Sequence, residues 1–151
     1  MSAADRVFFD TNVLVYAHDA SDNKKRETAQ AIILAGLKTG VGVISAQVLS
    51  EFYVTVTRKI ATPLSLDAAR QELHLLSRLV VVETDSTLVL RAAILQEKWQ
   101  TSFWDALILA AAERARCVTV WSEDLSSGQT YGAVRVLNPF APAVPRIRHS
   151  T

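Results

Sequence analysis

Short apolar runs alternate along the chain with longer stretches whose apolar residues recur every three or four positions, and this alternation leaves few folds open. The runs at residues 6–9, 41–44, 79–82, 118–121 and 133–137 are too short for buried helices and read as strands. Between them lie segments with helical spacing. Residues 11–17 form the first. Residues 24–39 carry Ala29, Ile32, Ile33 and Leu37 on one face and stop at Gly40. Val48, Phe52 and Val56 lead to the basic pair Arg58-Lys59, and after the breaker Pro63 the stripe Leu66, Ala69, Leu73, Leu76 repeats the pattern. Thr84 is positioned to cap a helix over 88–99. Ser102 opens another, with Trp104, Leu107, Ile108 and Ala111 as its apolar stripe, ending near Arg116. Strands separated by helices pair in parallel through right-handed crossovers. The expected fold class is therefore α/β: a three-layer α/β/α arrangement around a central, mainly parallel sheet of about five strands.

A chain of 151 residues, half of them hydrophobic, supplies one packed core rather than two. We expect one domain over residues 1–138, followed by an extended tail, 139–151, that holds Pro139, Pro142, Pro145, Arg146 and Arg148. The net charge of +1 excludes a strongly basic nucleic-acid coat, so any contact with phosphates must come from local clusters. Cys117 is the sole cysteine and opens an apolar run, which makes it a buried small hydrophobe and fits a reducing cytoplasm. The N-terminus has no basic segment followed by an apolar stretch, and no later run approaches the roughly 18 apolar residues that span a bilayer. The expectation is a cytoplasmic protein with no membrane partner.

In an open parallel sheet the chemistry gathers beyond the carboxyl ends of the strands. Asp10 ends the first strand, Asp124 follows the strand at 118–121, and Asp105 lies in the first turn of the helix opened by Ser102. Glu51 sits about one turn into the helix after residue 44, beside Leu49, Phe52 and Tyr53, a position at the edge of an apolar stripe rather than on an open face. Each acid has an ordinary alternative use. Asp105 stands three places after Ser102, the spacing of a capping box, and Asp10 and Asp124 suit caps or turns. Four acids converging on one cleft would repel one another, a cost that a divalent cation removes. Hard oxygen donors, with none of His18, His74 and His149 spaced as a zinc pair, favour Mg2+ or Mn2+. Such an ion activates water for in-line displacement at phosphorus.

The strings Phe9-Asp10-Thr11-Asn12, Ser50-Glu51-Phe52, Phe103-Trp104-Asp105-Ala106-Leu107-Ile108 and Ser122-Glu123-Asp124-Leu125 resemble, in order and spacing, the PIN domains of VapC-type toxins. The resemblance runs from Val7 to about Pro139. It implies a PIN-like fold and a metal-dependent endoribonuclease. Asp10, Glu51, Asp105 and Asp124 would be the catalytic and metal-binding acids, with Asn12 and Ser122 as polar supports. It also implies an RNA substrate, a cognate antitoxin and a homodimer, as for the toxin of a toxin–antitoxin pair. Position 122 is serine where many members carry threonine, which preserves the hydroxyl. Glu123, beside Asp124, reads as a solvated turn acid.

Lys24, Lys25, Arg26, Arg58, Lys59, Arg146 and Arg148 are candidates for phosphate contacts, with ordinary solvated charge as the commoner use. Trp104 and Trp121 are expected in the core or the wall of the site, and Trp99 is open to either packing or base stacking. Two rival functions use similar acids. A receiver-type phosphoacceptor domain needs an Asp ending the middle strand and a Lys after a late one. Here residues 80–82 run into Glu83-Thr84-Asp85, and no lysine follows 118–121. A catalytically silent PIN-fold module that binds RNA or a partner would have lost one or more acids, and all four are present.

Overall fold

The computed structural model describes residues 5–142. In chain order the elements are β1 (Arg6–Phe9), α1 (Thr11–Tyr16), α2 (Asn23–Thr39), β2 (Gly42–Ser45), α3 (Ala46–Arg58), α4 (Leu66–Leu76), β3 (Val80–Val82), α5 (Ser86–Trp99), α6 (Phe103–Arg114), β4 (Cys117–Trp121), β5 (Thr130–Tyr131) and β6 (Val134–Leu137). They form one six-stranded sheet in the order β3-β2-β1-β4-β6-β5. All neighbours are parallel except β5 and β6, which form an antiparallel edge hairpin. The expected α/β class and mainly parallel sheet are found, with six strands rather than about five. The extra strand is two residues long, too short to leave a periodic signal in the sequence.

Right-handed crossovers dictate the layering. The chain steps from β1 to β2 to β3 in one direction, which puts α1 to α4 on one face, and returns through α5 and α6 on the other. The contacts agree: α1 packs on α2 and α3, α3 on α4, and α5 on α6. Helix α6 buries every residue from Ala106 to Ala112, because it lies between the sheet and α5 and has little face left for water.

Local chemistry sets the ends of these helices. Gly40 closes α2 in the left-handed conformation at φ 75°, as its position after the periodic stretch requires. Helix α5 begins at Ser86 with Asp85 as its cap, whose carboxylate accepts from the Leu88 amide at 2.9 Å. The expected cap at Thr84 is therefore displaced by one residue, to an acid that Arg114 also holds through two contacts of 2.9 Å. Trp104 is 63% exposed, so its expected place in the core or site wall is wrong. It stands in the first turn of α6, ahead of the buried stretch Ala106–Ala112, with its ring edge-on to Phe103 at 5.5 Å. Trp121 is half-buried against the core, and Trp99 packs edge-on to Tyr131 at 5.5 Å.

Two glycines bring the layers close enough to place the end of β1. A Cβ on Gly36 would lie 2.9 Å from the Phe9 ring, and one on Gly42 would lie 2.6 Å from Leu79 Cδ2. Phe9, fully buried, fills the space they leave and fixes the strand end from which Asp10 emerges.

Candidate active site

Strand β1 lies between β2, to which the chain goes next, and β4, to which it returns much later. The sheet thus changes direction between β1 and β4, and their carboxyl ends open a crevice there. Asp10 follows β1 directly and Ser122 follows β4. The strand ends are tied by the Asp10 amide donating to the Trp121 carbonyl at 3.0 Å.

Asp10 is buried. One carboxylate oxygen caps α1, accepting from the Thr11 amide at 2.7 Å, and the other accepts from the Ser122 hydroxyl at 2.7 Å and from Asn12 Nδ2 at 3.3 Å. Burial pushes its pKa from 3.8 to about 6, the Ser122 and Thr11 bonds hold it down, and the charges of Asp124 and Glu51 add to the rise. Asp105 is half-buried at the start of α6. Its pKa is also raised, first by burial and then by Asp124 and Glu51, against a lowering contact with Ser102. These acids therefore lie within electrostatic reach of one another.

Asn12 joins them. Its Nδ2 reaches Asp124 Oδ2 at 3.2 Å and Ser122 Oγ at 3.5 Å as well as Asp10, and its Oδ1 accepts from the Glu123 amide at 3.0 Å. Ser122 is fully buried, and its oxygen accepts from the amides of Asp124 and Leu125 at 3.2 and 3.1 Å. Glu51 reaches the same crevice from α3. Thr11 Oγ1 donates to its Oε2 at 2.8 Å and Gln47 Nε2 to its Oε1 at 2.9 Å. By area Glu51 is exposed, contrary to the boundary position expected from its apolar neighbours, because it looks into an open groove rather than the core. That groove holds about 850 Å³ and runs from Asp124 and Glu51 past Tyr16 and Ser50 to Lys59.

The cap of α6 is the Ser102 hydroxyl, which accepts from the Asp105 amide at 3.1 Å. This is the Ser102 half of the capping box, and the Asp105 carboxylate, while in contact with Ser102, is also within reach of the charges of Asp124 and Glu51. Among the described residues, no three His, Cys, Asp or Glu side chains form a group ready to hold a metal ion. The Asn12 amide bridges two of the acids, and Thr11 and Gln47 hold a third. The donor set still fits a hard divalent cation. Its members are carboxylate oxygens, the central one is buried, and two are driven toward the protonated form by burial and by the charges of their neighbours.

Two sequence expectations fail here. Glu123 is a half-buried acid bound by Tyr16 OH at 2.7 Å and Lys25 Nζ at 2.6 Å, not a solvated turn residue. Lys25 is accordingly engaged in an ion pair and is not a free phosphate contact. No local pattern signals this, since residues 25 and 123 meet only through the fold. Arg146 and Arg148 lie outside the described residues. Among the described residues no helix is long and apolar enough to cross a membrane.

The model of the PIN domain family matches residues 7–128. No curated protein matches the chain. Solved structures share the fold at low identity. A toxin–antitoxin complex from Klebsiella pneumoniae superposes with a TM-score of 0.65 at 18% identity, over 89% of this chain and 98% of that one. VapC20 of Mycobacterium tuberculosis, described as a sarcin–ricin loop cleaving toxin, gives 0.58 at 22% identity, over 78% and 91%. FitAB bound to a DNA fragment gives 0.64 at 20% identity, over 92% and 99%. With most of its length matched by the family model and its acids at the crevice that this fold provides, the chain belongs to the PIN domain family.

Proposed function

We propose that this protein is an Mg2+- or Mn2+-dependent endoribonuclease, cytoplasmic, and the toxin of a toxin–antitoxin pair. Asp10, Glu51, Asp105 and Asp124 would be its catalytic and metal-binding acids. The observation that carries this reading is Asp10: a buried carboxylate at the switch point of the sheet, beside Asn12, Ser122 and Asp124, with its pKa raised to about 6 by burial first and by the charges of Asp124 and Glu51 after it. A purely structural acid is placed where its charge is compensated. This one stands where an incoming positive charge would be welcome.

Asp10, Glu51, Asp105 and Asp124 would hold the cation, which would offset part of their charge and supply the Lewis acidity that makes bound water nucleophilic at neutral pH. The protein's own residues hold and orient. Asp10 stands on a rigid strand end, its oxygens aimed by the Thr11 amide and the Ser122 hydroxyl. Asn12 spaces Asp10 from Asp124, and Thr11 and Gln47 aim Glu51 across the groove. Tyr16, Ser50 and Lys59 line the groove along which an RNA strand would lie. The attacking group in this reading would be water activated at the cation rather than the ribose 2′-hydroxyl, and the ends of the products distinguish the two. The likeness to VapC20 and to toxin–antitoxin complexes supports the RNA substrate and a cognate antitoxin as partner, and the family resemblance adds a homodimer as the expected assembly.

The test is cleavage of single-stranded RNA by the purified protein with Mg2+ or Mn2+ and with excess EDTA. The expected products carry 5′-phosphate and 3′-hydroxyl ends and form only with metal. Robust cleavage in EDTA, or 2′,3′-cyclic phosphate ends, would overturn the mechanism.

A further inference from the structure

Glu123 has no part in the reading above, yet it is the most heavily bound acid beside the site. Helix α1 presents Asn12 and Tyr16, one turn apart, to this one residue. Asn12 Oδ1 accepts from its backbone amide at 3.0 Å, and Tyr16 OH donates to its Oε1 at 2.7 Å. From α2, Lys25 Nζ donates to its Oε2 at 2.6 Å and to Tyr16 OH at 3.3 Å. The ammonium lies 4.6 Å from the centre of the Tyr16 ring and 5.6 Å from that of Phe140, and the two rings meet edge-on at 5.0 Å. Both carboxylate oxygens of Glu123 are thus occupied, and its charge is matched in a partly buried pair in which the Lys25 and Glu123 side chains are 31% and 26% exposed.

The neighbour of this residue needs such support. Asp124 is exposed, on a segment between β4 and β5 without regular secondary structure, and among the described residues its carboxylate has one side-chain partner, Asn12 Nδ2 at 3.2 Å. A carboxylate so placed samples several rotamers unless its backbone is fixed, and cation ligands must be held to a fraction of an ångström. The backbone here is held by Ser122 Oγ at the amides of residues 124 and 125 and by Asn12 at the amide of residue 123, and the Glu123 side chain adds a tether to α1 and α2 through Tyr16 and Lys25. We propose that Lys25, Tyr16 and Glu123 form a clamp that sets the position of Asp124 relative to Asp10, making them positioning residues for the cation site. The proposal rests on the nuclease reading. It also gives Glu123 and Asp124 separate duties: the first anchors, the second faces the other acids. Lys25 cancels the charge of Glu123, so the cluster does not carry a fifth uncompensated acid.

The test uses the full chain. The double variant Lys25→Gln/Glu123→Gln removes the pair without changing net charge, Tyr16→Phe removes one hydroxyl, and Lys25→Arg keeps the pair. Mn2+ affinity is measured on RNA-free protein by calorimetry, and kcat and KM on single-stranded RNA. The double variant is expected to weaken Mn2+ binding and lower kcat by about tenfold each, with KM changed less than about twofold, and Lys25→Arg is expected to keep both near wild type. Amide hydrogen exchange at residues 123–125 should accelerate in the double variant. Unchanged Mn2+ affinity and kcat would overturn the clamp. A raised KM with unchanged Mn2+ affinity would also overturn it, making Lys25 a phosphate contact. If the double variant does not fold, Tyr16→Phe decides by the same measurements, at about threefold each. A wild-type protein that binds no Mn2+ and cleaves no RNA overturns the nuclease reading and the clamp together. A wild type that does both, with clamp variants unaffected, overturns the clamp alone.

Discussion

Replacing Asp10 by asparagine should stabilise the metal-free protein at neutral pH and destabilise it in acid. Asp10 ionises at about 6 in the folded protein against an ordinary 3.8. Between those values the folded state binds more protons than the unfolded one, so stability falls as pH rises through the window. The full penalty of about 3 kcal/mol is reached above pH 6. The Asp10→Asn variant escapes it. The new amide oxygen can still accept from the Thr11 amide, but the Ser122 hydroxyl and the Asn12 amide lose the acceptor that they now share on Asp10 Oδ2. At about 1 kcal/mol for each lost bond, these changes cost about 2 kcal/mol at every pH. The variant should therefore be more stable by about 1 kcal/mol at pH 7.5 in EDTA, a rise in melting temperature of about 2–4 °C, and less stable by about 1.5 kcal/mol at pH 4. Thermal unfolding across this range should show the two curves crossing between pH 4 and 6. Adding Mg2+ at pH 7.5 should raise the wild type above the variant, since only the wild type retains the charge that the cation binds. A variant less stable in EDTA at pH 7.5, or a difference that does not change with pH, would refute the account of Asp10 as a carboxylate buried for a cation.

Asp105→Asn should abolish RNA cleavage with little loss of stability, because the helix cap is the Ser102 hydroxyl rather than this carboxylate. Ser102→Ala should instead lower the stability of the protein by about 0.5–2 kcal/mol in denaturant titration. Gly36→Ala places a methyl group 2.9 Å from the Phe9 ring in a closed layer contact and should cost about 1–3 kcal/mol, read as a lower urea midpoint. Cys117, buried and with its thiol pushed up to about 12 by burial, should resist a disulfide reagent in the native state and react only on unfolding.

The sequence displays its sheet well because each buried strand is a short apolar run and each helix repeats its apolar face, so β1 to β4, β6 and the helices between them are legible from spacing alone. β5 is not, since two residues paired at an edge carry no period. Trp104 misleads for a related reason. It falls on the apolar stripe of α6, but it occupies the first turn, where it is 63% exposed and meets the Phe103 ring edge-on at 5.5 Å. Asp10, Asp105 and Asp124 are legible because they follow strands or open a helix, and the fold directs such positions to one edge. Asn12 and Ser122 stand out only through the strings that contain them, yet Asn12 touches Asp10, Ser122, Glu123 and Asp124. The pairing of Lys25 with Glu123 joins residues 98 positions apart and leaves no mark in either neighbourhood.

The same contacts explain why a site with so much mutual repulsion is tolerated without its cation. Asn12 and Ser122 contribute neutral donors between the acids, where a lysine or arginine would neutralise them more strongly but would also compete with the incoming ion for the same oxygens. An amide and a hydroxyl can give up those oxygens at a cost of about 1 kcal/mol for each bond, whereas separating a buried ion pair costs several times more. Lys25, a full positive charge close to the acids, is committed to Glu123 and is not aimed at Asp10. The protein thus places its permanent charge compensation on the acid that anchors and leaves the others only loosely satisfied. Substituting Asn12 by a cationic residue would be expected to stabilise the metal-free fold in thermal unfolding and to extinguish Mn2+ binding in calorimetry, a pairing of effects that a merely structural cluster of acids would not produce.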